Sequence, residues 1–248
     1  MGVTFRRNIS WPKNDLLLPP ELFNVVVPPG LGAMDMRAPK FVDMTQMMRL
    51  DSGGGYSSIG GGLATTEGLV KPDLSIRFPN PAAQWRRTPA PTAKDQNHGP
   101  CVFQFTGGEV VIEIALALYM LDTANYDPKD DLSVQIFALL YGHELLHVLD
   151  ALDIANNWLP PRLNAEATVA RYLVQSQPYT YGTQNDLAAK LQQEFADFIT
   201  DRIQVAIFNL WATETNRRKN LRDSPAEYRK VQDKVDDLRA RQINRPHH

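Results

Sequence analysis

Hydrophobic and polar positions follow different patterns in the first 100 residues and in the rest of the chain. The first part holds 12 of the 18 prolines and 11 of the 15 glycines, with short apolar runs between them. This pattern predicts a loop-rich segment with short strands, such as residues 23–27 and 74–78. Glycine triplets at 53–55 and 60–62 predict a surface loop, because no Gly-Lys-Ser or Gly-Lys-Thr follows to complete a phosphate-binding loop.

The stretch from Cys101 to Leu121 consists mostly of two apolar runs. Thr106-Gly107-Gly108 separates these runs, and the pattern predicts a β-hairpin over residues 102–115. The second arm is ambiguous, since residues 114–121 could equally continue as a buried helix.

Beyond residue 127 the apolar positions recur with helical spacing. Asp127 as N-cap and Pro128 at the first helical position predict the start of a helix. The acidic residues 130–131 would then lie near the positive end of its dipole. The apolar pattern continues to about residue 157, and Pro160-Pro161 predicts that the helix stops there.

Further helices are predicted from capping residues. Asn164 can cap a second helix that runs through residue 173. Thr183 with Asp186 opens a long helix that carries an apolar stripe, and residues 224–227 form a capping box for a final helix. The stripe of the long helix consists of Leu187, Leu191, Phe195, Phe198 and Ile199.

Composition and charge narrow the class of protein. The 248 residues are 43% hydrophobic and 22% charged, which is typical of a folded globular chain. With 26 basic and 28 acidic residues the net charge is -2, so we expect neither a nucleic-acid partner nor an anionic membrane partner. Residues 214–245 are locally basic, but their charges are mixed and predict a solvated helical face.

The sequence gives little support for a membrane span, a signal peptide or a disulfide bond. We find no uncharged apolar run of membrane-spanning length and no secretory signal. We therefore expect a protein that is cytoplasmic or exported by a route without a signal peptide. The single Cys101 excludes an internal disulfide and a cysteine-built zinc site.

The segment with recognisable chemistry is His143-Glu144-Leu145-Leu146-His147, an HExxH sequence. Two histidines four residues apart on a helix lie on the same face, so their imidazoles can bind one metal ion. Zinc is the usual occupant, bound by neutral imidazoles with one position left open for water. Glu144 can reach that water and take its proton as a carbonyl is attacked.

A helical wheel around this motif supports a metal site. At 100° per residue, His147 falls about 40° from His143 on one side, and Asp150 falls about 20° from it on the other. Apolar side chains occupy the opposite face, a segregation that two incidental histidines in a core helix would not require. They are Phe137, Tyr141, Leu145, Val148, Leu149 and Leu152.

A catalytic zinc ion normally has three protein ligands, and His98 and the terminal pair are the only other histidines of the chain. A carboxylate is therefore required if His98 is not used. Glu166 is favoured, because a chain reversal at Pro160-Pro161 would let a neighbouring antiparallel helix bring it to the site. Asp150 and Asp153 remain alternatives. Asp150 better suits the orientation of an imidazole, and Asp153 needs a sharp turn of the helix.

The HExxH sequence followed by Glu166, with 18 residues between His147 and Glu166, resembles the gluzincin branch of the zincin metallopeptidases. The resemblance implies that His143, His147 and Glu166 bind Zn²⁺ and that Glu144 is the general base. It also implies a zincin-like α+β fold, with a small antiparallel or mixed sheet before the active-site helix and mostly helices after it. The 102–115 hairpin would suit the edge strand, to which a substrate backbone could add.

Residues that follow Glu166 offer donors for a developing oxyanion. Tyr181, in a Tyr-Thr-Tyr-Gly loop, is the favoured candidate. Arg171, Tyr172 and Tyr179 are the other candidates by position. Ordinary packing is the alternative role for each tyrosine.

Together these observations predict one zincin-like domain over residues 1–248. It would comprise a loop-rich part (1–100), a metal-site core (101–182) and C-terminal helices (183–246). The expected function is that of a zinc metallopeptidase, a hydrolase with a polypeptide substrate. Two alternatives remain: a catalytically inactive zincin-fold module for binding or assembly, and a proteolytic toxin or effector with a narrow protein target.

Overall fold

The computed structural model describes most of the chain after residue 67. Its class is α+β, with small mixed and antiparallel sheets in the N-terminal half and a mostly helical C-terminal half, which confirms the predicted class at this level. The predicted strand at 23–27 and the glycine triplets lie outside the described residues. The described residues are 2–10, 40–42, 45–47, 49, 68–121, 127 and 129–245.

Two sheets organise the strands of the described chain. In the first sheet β6 lies between β1 and β2, with β3 also paired to β6, and β2 runs parallel to β6 with Lys40 opposite Tyr119. The second sheet is antiparallel in the order β4-β5-β7, with Cys101 opposite Tyr181. Residues 114–121 are therefore strand rather than helix. The strands are β1 (Val3–Ser10), β2 (Lys40–Val42), β3 (Gly68–Arg77), β4 (Trp85–Pro89), β5 (Cys101–Phe105), β6 (Gly108–Leu121) and β7 (Tyr179–Tyr181).

The predicted hairpin over 102–115 is wrong, because β5 and β6 belong to different sheets. The chain leaves β5 at Thr106, whose backbone N–H and hydroxyl both donate to the carbonyl oxygen of Gln84 at 2.9 Å. A Cβ on Gly108 would lie 2.3 Å from Cδ of Gln84, so glycine leaves the room that this amide needs. Both strands are interior to their sheets, and neither supplies the edge strand that was expected to receive a substrate.

A long helical run dominates the start of the C-terminal half. By length and composition alone, the run Asp131–Leu163 could cross a membrane, but 44% of its most apolar window is buried and the core helix of a water-soluble protein meets the same criterion. The absence of a membrane span therefore stays a prediction. The helices of the described chain after residue 130 are α1 (Asp131–Asp153), α2 (Leu159–Leu163), α3 (Ala167–Val169), α4 (Ala188–Arg222) and α5 (Pro225–Ile243), with π-helical segments at Ile154–Trp158 and Ala170–Val174.

The start of α1 lies later than predicted, because Asp130 rather than Asp127 caps the helix. The carboxylate of Asp130 accepts the backbone N–H groups of Leu132 at 3.2 Å and Ser133 at 3.3 Å. Asp127 accepts the N–H of Lys129 at 2.8 Å and closes the turn before the helix. Both aspartates make local bonds that a short carboxylate favours, so residue type alone did not distinguish them.

Pro160-Pro161 does not end the helical run, in contrast to the prediction. The π-helical segment Ile154–Trp158 carries the chain into α2, and the prolines occupy its first turn, where their missing N–H groups cost little. The chain leaves helical geometry at Glu166, which is extended (φ −61°, ψ 132°). Glu166, and not Asn164 as predicted, caps the next helix by accepting the N–H of Val169 at 2.7 Å.

Of the two later predictions of a helix start, one agrees with the structure. Thr183 and Asp186 do not open α4: the hydroxyl of Thr183 donates to the carboxylate of Asp186 at 2.9 Å in a turn, and the helix begins at Ala188. Ser224 accepts the N–H of Glu227 at 3.4 Å through its hydroxyl, and Pro225 is the first residue of α5, which confirms Ser224 as the N-cap of the predicted capping box. The carboxylate of Glu227 pairs with Lys230.

The chain forms two compact units, and its prediction as a single domain stays a prediction. The first unit comprises Met1–Ile9, Leu74–Ile114 and Asp153–Glu214. The second unit comprises Ser10–Asp73, Ala115–Leu152 and Thr215–His248.

Each unit has its own apolar core. In the first unit Phe195 of α4 stacks on Phe103 with ring centroids 4.2 Å apart. In the second unit α1 packs on α5 through buried aliphatic side chains, each of which contributes about 1.5–3 kcal/mol on full burial. These side chains are Leu132, Ile136, Val235 and Leu238.

The cap of α1 gives a first prediction. We expect Asp130→Ala to lower the free energy of unfolding by about 1–2 kcal/mol, because it removes the N-cap. It also removes contacts at 2.6 Å with Gln242 and with Arg245, which join the end of α5 to the start of α1. Urea denaturation measures the change. Asp127→Ala is the matched control, with an expected change below about 0.5 kcal/mol, and equal losses in the two variants would contradict the assignment of the cap.

Tyr141 of α1 gives a second prediction. Its hydroxyl is buried without a hydrogen-bond partner in the described part of the chain, and burial raises its pKa from 10.0 to about 12. The folded state therefore retains this proton more strongly, and the stability that this gives below pH 10 is lost as the pH rises towards 12. We expect Tyr141→Phe to be at least as stable at pH 7, because an unpaired buried polar group costs about 1–3 kcal/mol.

The Tyr141→Phe variant is also expected to lose less stability than wild type between pH 10 and pH 11. Urea unfolding of both proteins at pH 7, 10 and 11 makes this comparison, and the difference between them cancels the titration of other groups. Lower stability of the variant at pH 7 would show that the hydroxyl has a partner, and equal losses in the two proteins between pH 10 and pH 11 would show that its pKa is not raised.

Candidate metal centre

The helix α1 carries both histidines of the motif on one face, as the wheel predicts. Their rings lie 5.1 Å apart between centroids at an angle of 85°, and their side chains are 13% and 15% exposed for His143 and His147. The opposite face packs into the core of the protein, which fixes the direction of the two imidazoles. Its most buried members, each at most 3% exposed, are Phe137, Tyr141, Leu145 and Val148.

A carboxylate from elsewhere in the second unit lies beside both imidazoles. Oδ1 of Asp223 is 3.2 Å from Nε2 of His143 and 2.9 Å from Nε2 of His147. One ligand atom from each of these half-buried residues lies within 4.8 Å of the others. The described part of the chain therefore contains a His-His-Asp group that could hold a metal ion.

Asp223 occupies the junction between α4 and α5. Its own N–H donates to the carbonyl oxygen of Lys219 at 2.8 Å, which extends the last turn of α4. The preceding residue, Arg222, binds Asp150 of α1 through two contacts of 2.9 and 3.2 Å. This bidentate pair attaches the end of α4 to α1 close to the two histidines, and Arg218 lies 3.6 Å from the same carboxylate.

The Arg222–Asp150 ion pair is neither fully exposed nor fully buried. The side chain of Asp150 is 15% exposed and that of Arg222 is 42% exposed. Exposed pairs contribute about 0–1 kcal/mol, whereas breaking a buried pair costs about 3–5 kcal/mol. Asp150 was expected to orient an imidazole; instead it positions Asp223 by binding the neighbouring arginine.

Electrostatics couple the three residues. Burial alone would raise the pKa of Asp223, but hydrogen bonds with both imidazoles and their charges outweigh it, and the pKa lies well below the ordinary value of 3.8. Burial alone would lower the pKa of His147, but the hydrogen bond with Asp223 and the charge of Glu144 outweigh it, and the pKa is raised above 6.5. The site therefore stabilises an anionic Asp223 against cationic neighbours.

The donor set fits a divalent transition metal such as zinc. Two imidazole nitrogens and one carboxylate oxygen are ordinary zinc ligands, and tetrahedral ligands at about 2.0–2.2 Å from zinc lie about 3.3 Å from one another. The observed separations of 3.2 and 2.9 Å from Asp223 are slightly shorter, so a small outward movement would suffice. Imidazole also suits copper, iron and nickel, so the donor set defines a class of metal.

Glu144 lies beside this group but is more deeply buried, at 8% exposure. Burial raises its pKa above the ordinary value of 4.5. The first residue of β3, Gly68, packs directly on its side chain: a Cβ there would lie 2.5 Å from Cγ and 2.8 Å from Oε1 of Glu144. Glycine at this position therefore makes room for the carboxylate.

A pocket of about 600 Å³ opens beside the metal-binding group. On the α1 side it is lined by His143, Leu146 and Asp150. Across from α1, residues from the end of α4 and the start of α5 complete the lining, among them Arg217 and Lys230. This volume lies within the range of about 300–1,000 Å³ that is usual for small-ligand sites.

The other predicted ligands make different contacts. Glu166 lies in the first unit, where its carboxylate caps α3. Asp153 accepts a hydrogen bond from Nδ2 of Asn157 at 2.6 Å. Nδ1 of His98 lies 3.2 Å from Oδ1 of Asp95 in a loop of the first unit. The assignment of Glu166 as a metal ligand stays a prediction.

Tyr181, the predicted oxyanion donor, lies in β7 of the first unit. Its ring centroid is 5.1 Å from that of Phe198 and 5.6 Å from that of Phe195. Tyr179 contacts the same two phenylalanines, with centroids 5.9 and 5.8 Å away. Packing therefore accounts for both tyrosines, and the catalytic role of Tyr181 stays a prediction.

Asp223 is the residue that the sequence analysis missed. It follows His147 by 76 residues, and no local spacing rule links positions so far apart. The available signal was its place immediately before the capping box at Ser224, which put a short carboxylate at a junction between two helices. Only the packing of α4 and α5 against α1 could show which side chains it meets.

The fold and the site together define an α+β protein with a candidate His-His-Asp metal centre on a long helix. Comparison with known proteins found no matching family model, curated protein or solved structure. The gluzincin resemblance therefore rests on the HExxH sequence and its spacing to Glu166 alone.

The ligand set gives a third prediction. We expect the purified protein to retain about one zinc ion per chain after zinc loading and dialysis. Asp223→Ala is expected to weaken zinc binding by more than the roughly 10–100-fold that loss of an outer-shell partner costs, because it removes a ligand. Metal analysis and competition with a chromogenic chelator measure both quantities. Glu166→Gln is the matched carboxylate control; loss of zinc there, with retention in Asp223→Ala, would restore the ligand set implied by the resemblance.

Proposed function

We propose that this chain is a zinc-dependent metallopeptidase that hydrolyses peptide bonds in a polypeptide substrate. The observation that carries the proposal is the convergence of His143, His147 and Asp223 beside Glu144. Three protein ligands with an open position are typical of catalytic zinc, whereas structural zinc sites usually have four. The adjoining pocket gives a substrate access to this group.

The residues around the metal position can divide the chemistry between them. Zinc bound there would lower the pKa of a water molecule towards 7 and polarise a carbonyl group. Glu144 would accept the proton of that water on a carboxylate oxygen and deliver it to the nitrogen of the leaving amine. Its place beside the metal-binding group suits this role, because a general base must lie within reach of the proton that it takes.

In this proposal Asp223 has the role that the resemblance gives to Glu166. Oδ1 of Asp223 contacts both imidazoles, whereas the carboxylate of Glu166 is engaged as a helix cap. The helix-borne part of the gluzincin motif is therefore kept, and the third ligand comes from a different part of the chain.

One observation favours a second candidate, a metal-binding module without turnover. Gly68 covers the side chain of Glu144, which is 8% exposed, and a general base needs contact with water. In that case the metal would act as a link between α1 and the α4–α5 junction, and its binding free energy would contribute to folding.

Glu144 separates the two candidates and gives a fourth prediction. We expect Glu144→Gln to retain zinc and to hydrolyse a mixed peptide library about 10²- to 10⁴-fold more slowly, because it removes the general base. Mass spectrometry of the library measures the rate, and metal analysis measures the zinc. If the zinc-loaded wild type cleaves nothing, while chelation lowers its melting temperature, the module without turnover is correct.

Gly68→Ala is the companion variant for the same prediction. The added Cβ would displace the Glu144 carboxylate, so we expect loss of hydrolysis with zinc content unchanged. Gly142→Ala is the control, because a Cβ at Gly142 meets no atom within 4 Å and activity is expected to be preserved. Full activity in Gly68→Ala would show that this contact does not position the carboxylate.

A further inference from the structure

The pocket beside His143 carries more positive than negative side chains. Its basic members are Arg217, Arg218, Arg222 and Lys230, and its acidic members are Asp150 and Glu227. The lining therefore has a net charge of about +2 in a chain whose overall net charge is -2. An excess of one sign inside a concave surface raises the local concentration of ligands of the opposite sign.

Part of this charge is built into the floor of the pocket. The side chain of Arg218 is only 16% exposed, and it lies 3.6 Å from Asp150, which is 15% exposed. Arg222 binds the same carboxylate through Nε and Nη2. A guanidinium has five N–H donors in a planar fork that matches a carboxylate, and the bidentate contact uses two of them.

The pocket lining also combines an exposed charge with apolar surface. Lys230 is 64% exposed and pairs with Glu227 of the same helix. Such exposed pairs contribute only about 0–1 kcal/mol, so little free energy opposes a contact of Lys230 with a ligand carboxylate. Leu146 and Val231 supply apolar contact for the carbon chain of a ligand.

The basic side chains of the pocket lie next to the metal-binding group, and this position determines which part of a substrate they can bind. His143 is both a metal-ligand candidate and a wall of the pocket, and Arg222 is the neighbour of Asp223 in sequence. A peptide whose carbonyl lies at the metal position can therefore extend into the pocket. At about 600 Å³ the pocket accommodates a short peptide segment.

We propose that this basic pocket binds a carboxylate of the peptide substrate next to the bond that is cleaved. The inference rests on the proposed peptidase function and adds a substrate class to it: peptides with an acidic group on one side of the scissile bond. A free C-terminal carboxylate and an acidic side chain have the same chemistry, and both match the guanidinium fork. The first source would give an exopeptidase and the second an acid-selective endopeptidase.

Binding of four hydroxamate peptides to zinc-loaded, full-length Glu144→Gln protein tests this proposal. All four have the same metal-binding hydroxamate. Two carry Leu-Ala with a free C-terminal carboxylate or a C-terminal amide, and two carry Leu-Glu or Leu-Gln with a C-terminal amide. We expect the acid of at least one pair to bind about 10- to 100-fold more tightly than its neutral partner, as for a hydrogen bond to a charged group. The pair that differs identifies the source of the carboxylate.

Charge variants of the pocket sharpen the test. Lys230→Gln and Arg217→Gln are expected to reduce the preference for the acid, with unchanged zinc content. Lys234→Gln is the matched control, because Lys234 lies one turn further along α5, is exposed, and is absent from the pocket lining. Equal binding of all four peptides to zinc-loaded protein would overturn this inference and leave the proposed function standing. A protein that binds no zinc or no hydroxamate would overturn both.

Discussion

A single carboxylate oxygen placed between two imidazoles is the interaction on which the candidate site depends. Oδ1 of Asp223 contacts Nε2 of His143 and of His147, and so joins the middle of α1 to the junction of α4 and α5. The Arg222–Asp150 pair supports this contact by attaching the junction to α1, and Gly68 separately leaves space for the carboxylate of Glu144. Without the shared carboxylate, the HExxH sequence would present two imidazoles and no third ligand from the described residues.

Local rules predicted the helical half of the fold better than the sheets. The face of α1 and the N-cap of α5 each depend on residues within a few positions of one another, and both were predicted correctly. The hairpin failed because strand pairing is non-local: β5 and β6 are adjacent in sequence but find their partners in different sheets. The predicted helix end at Pro160-Pro161 failed because these prolines lie in the first turn of α2, where a missing N–H group costs little.

In the candidate site, too, the residues that are close in sequence were predicted and the distant one was not. His143, Glu144 and His147 lie within five consecutive residues of one helix, so a sequence pattern suffices to place them together. Asp223 comes from the end of another helix, and its position depends on the aliphatic packing between α1 and α5 and on an ion pair. Glu166 has favourable spacing from His147, and a chain reversal was expected to bring it to the metal. Its carboxylate instead caps α3. The spacing between His147 and Glu166 does not decide whether this carboxylate binds a metal ion or caps a helix.

The place of Asp223 at the end of a long helix limits how this protein can change in length during evolution. Each residue of an α-helix turns the chain by about 100° and advances it by about 1.5 Å. An insertion or deletion of one residue between Thr215 and Arg222 would therefore rotate Asp223 away from α1, even if every contact residue were kept. A change of seven residues, about two turns, would preserve the direction but move the carboxylate by about 10 Å. The metal-binding group therefore fixes the length of this segment as strictly as the Arg222–Asp150 pair fixes its side chains.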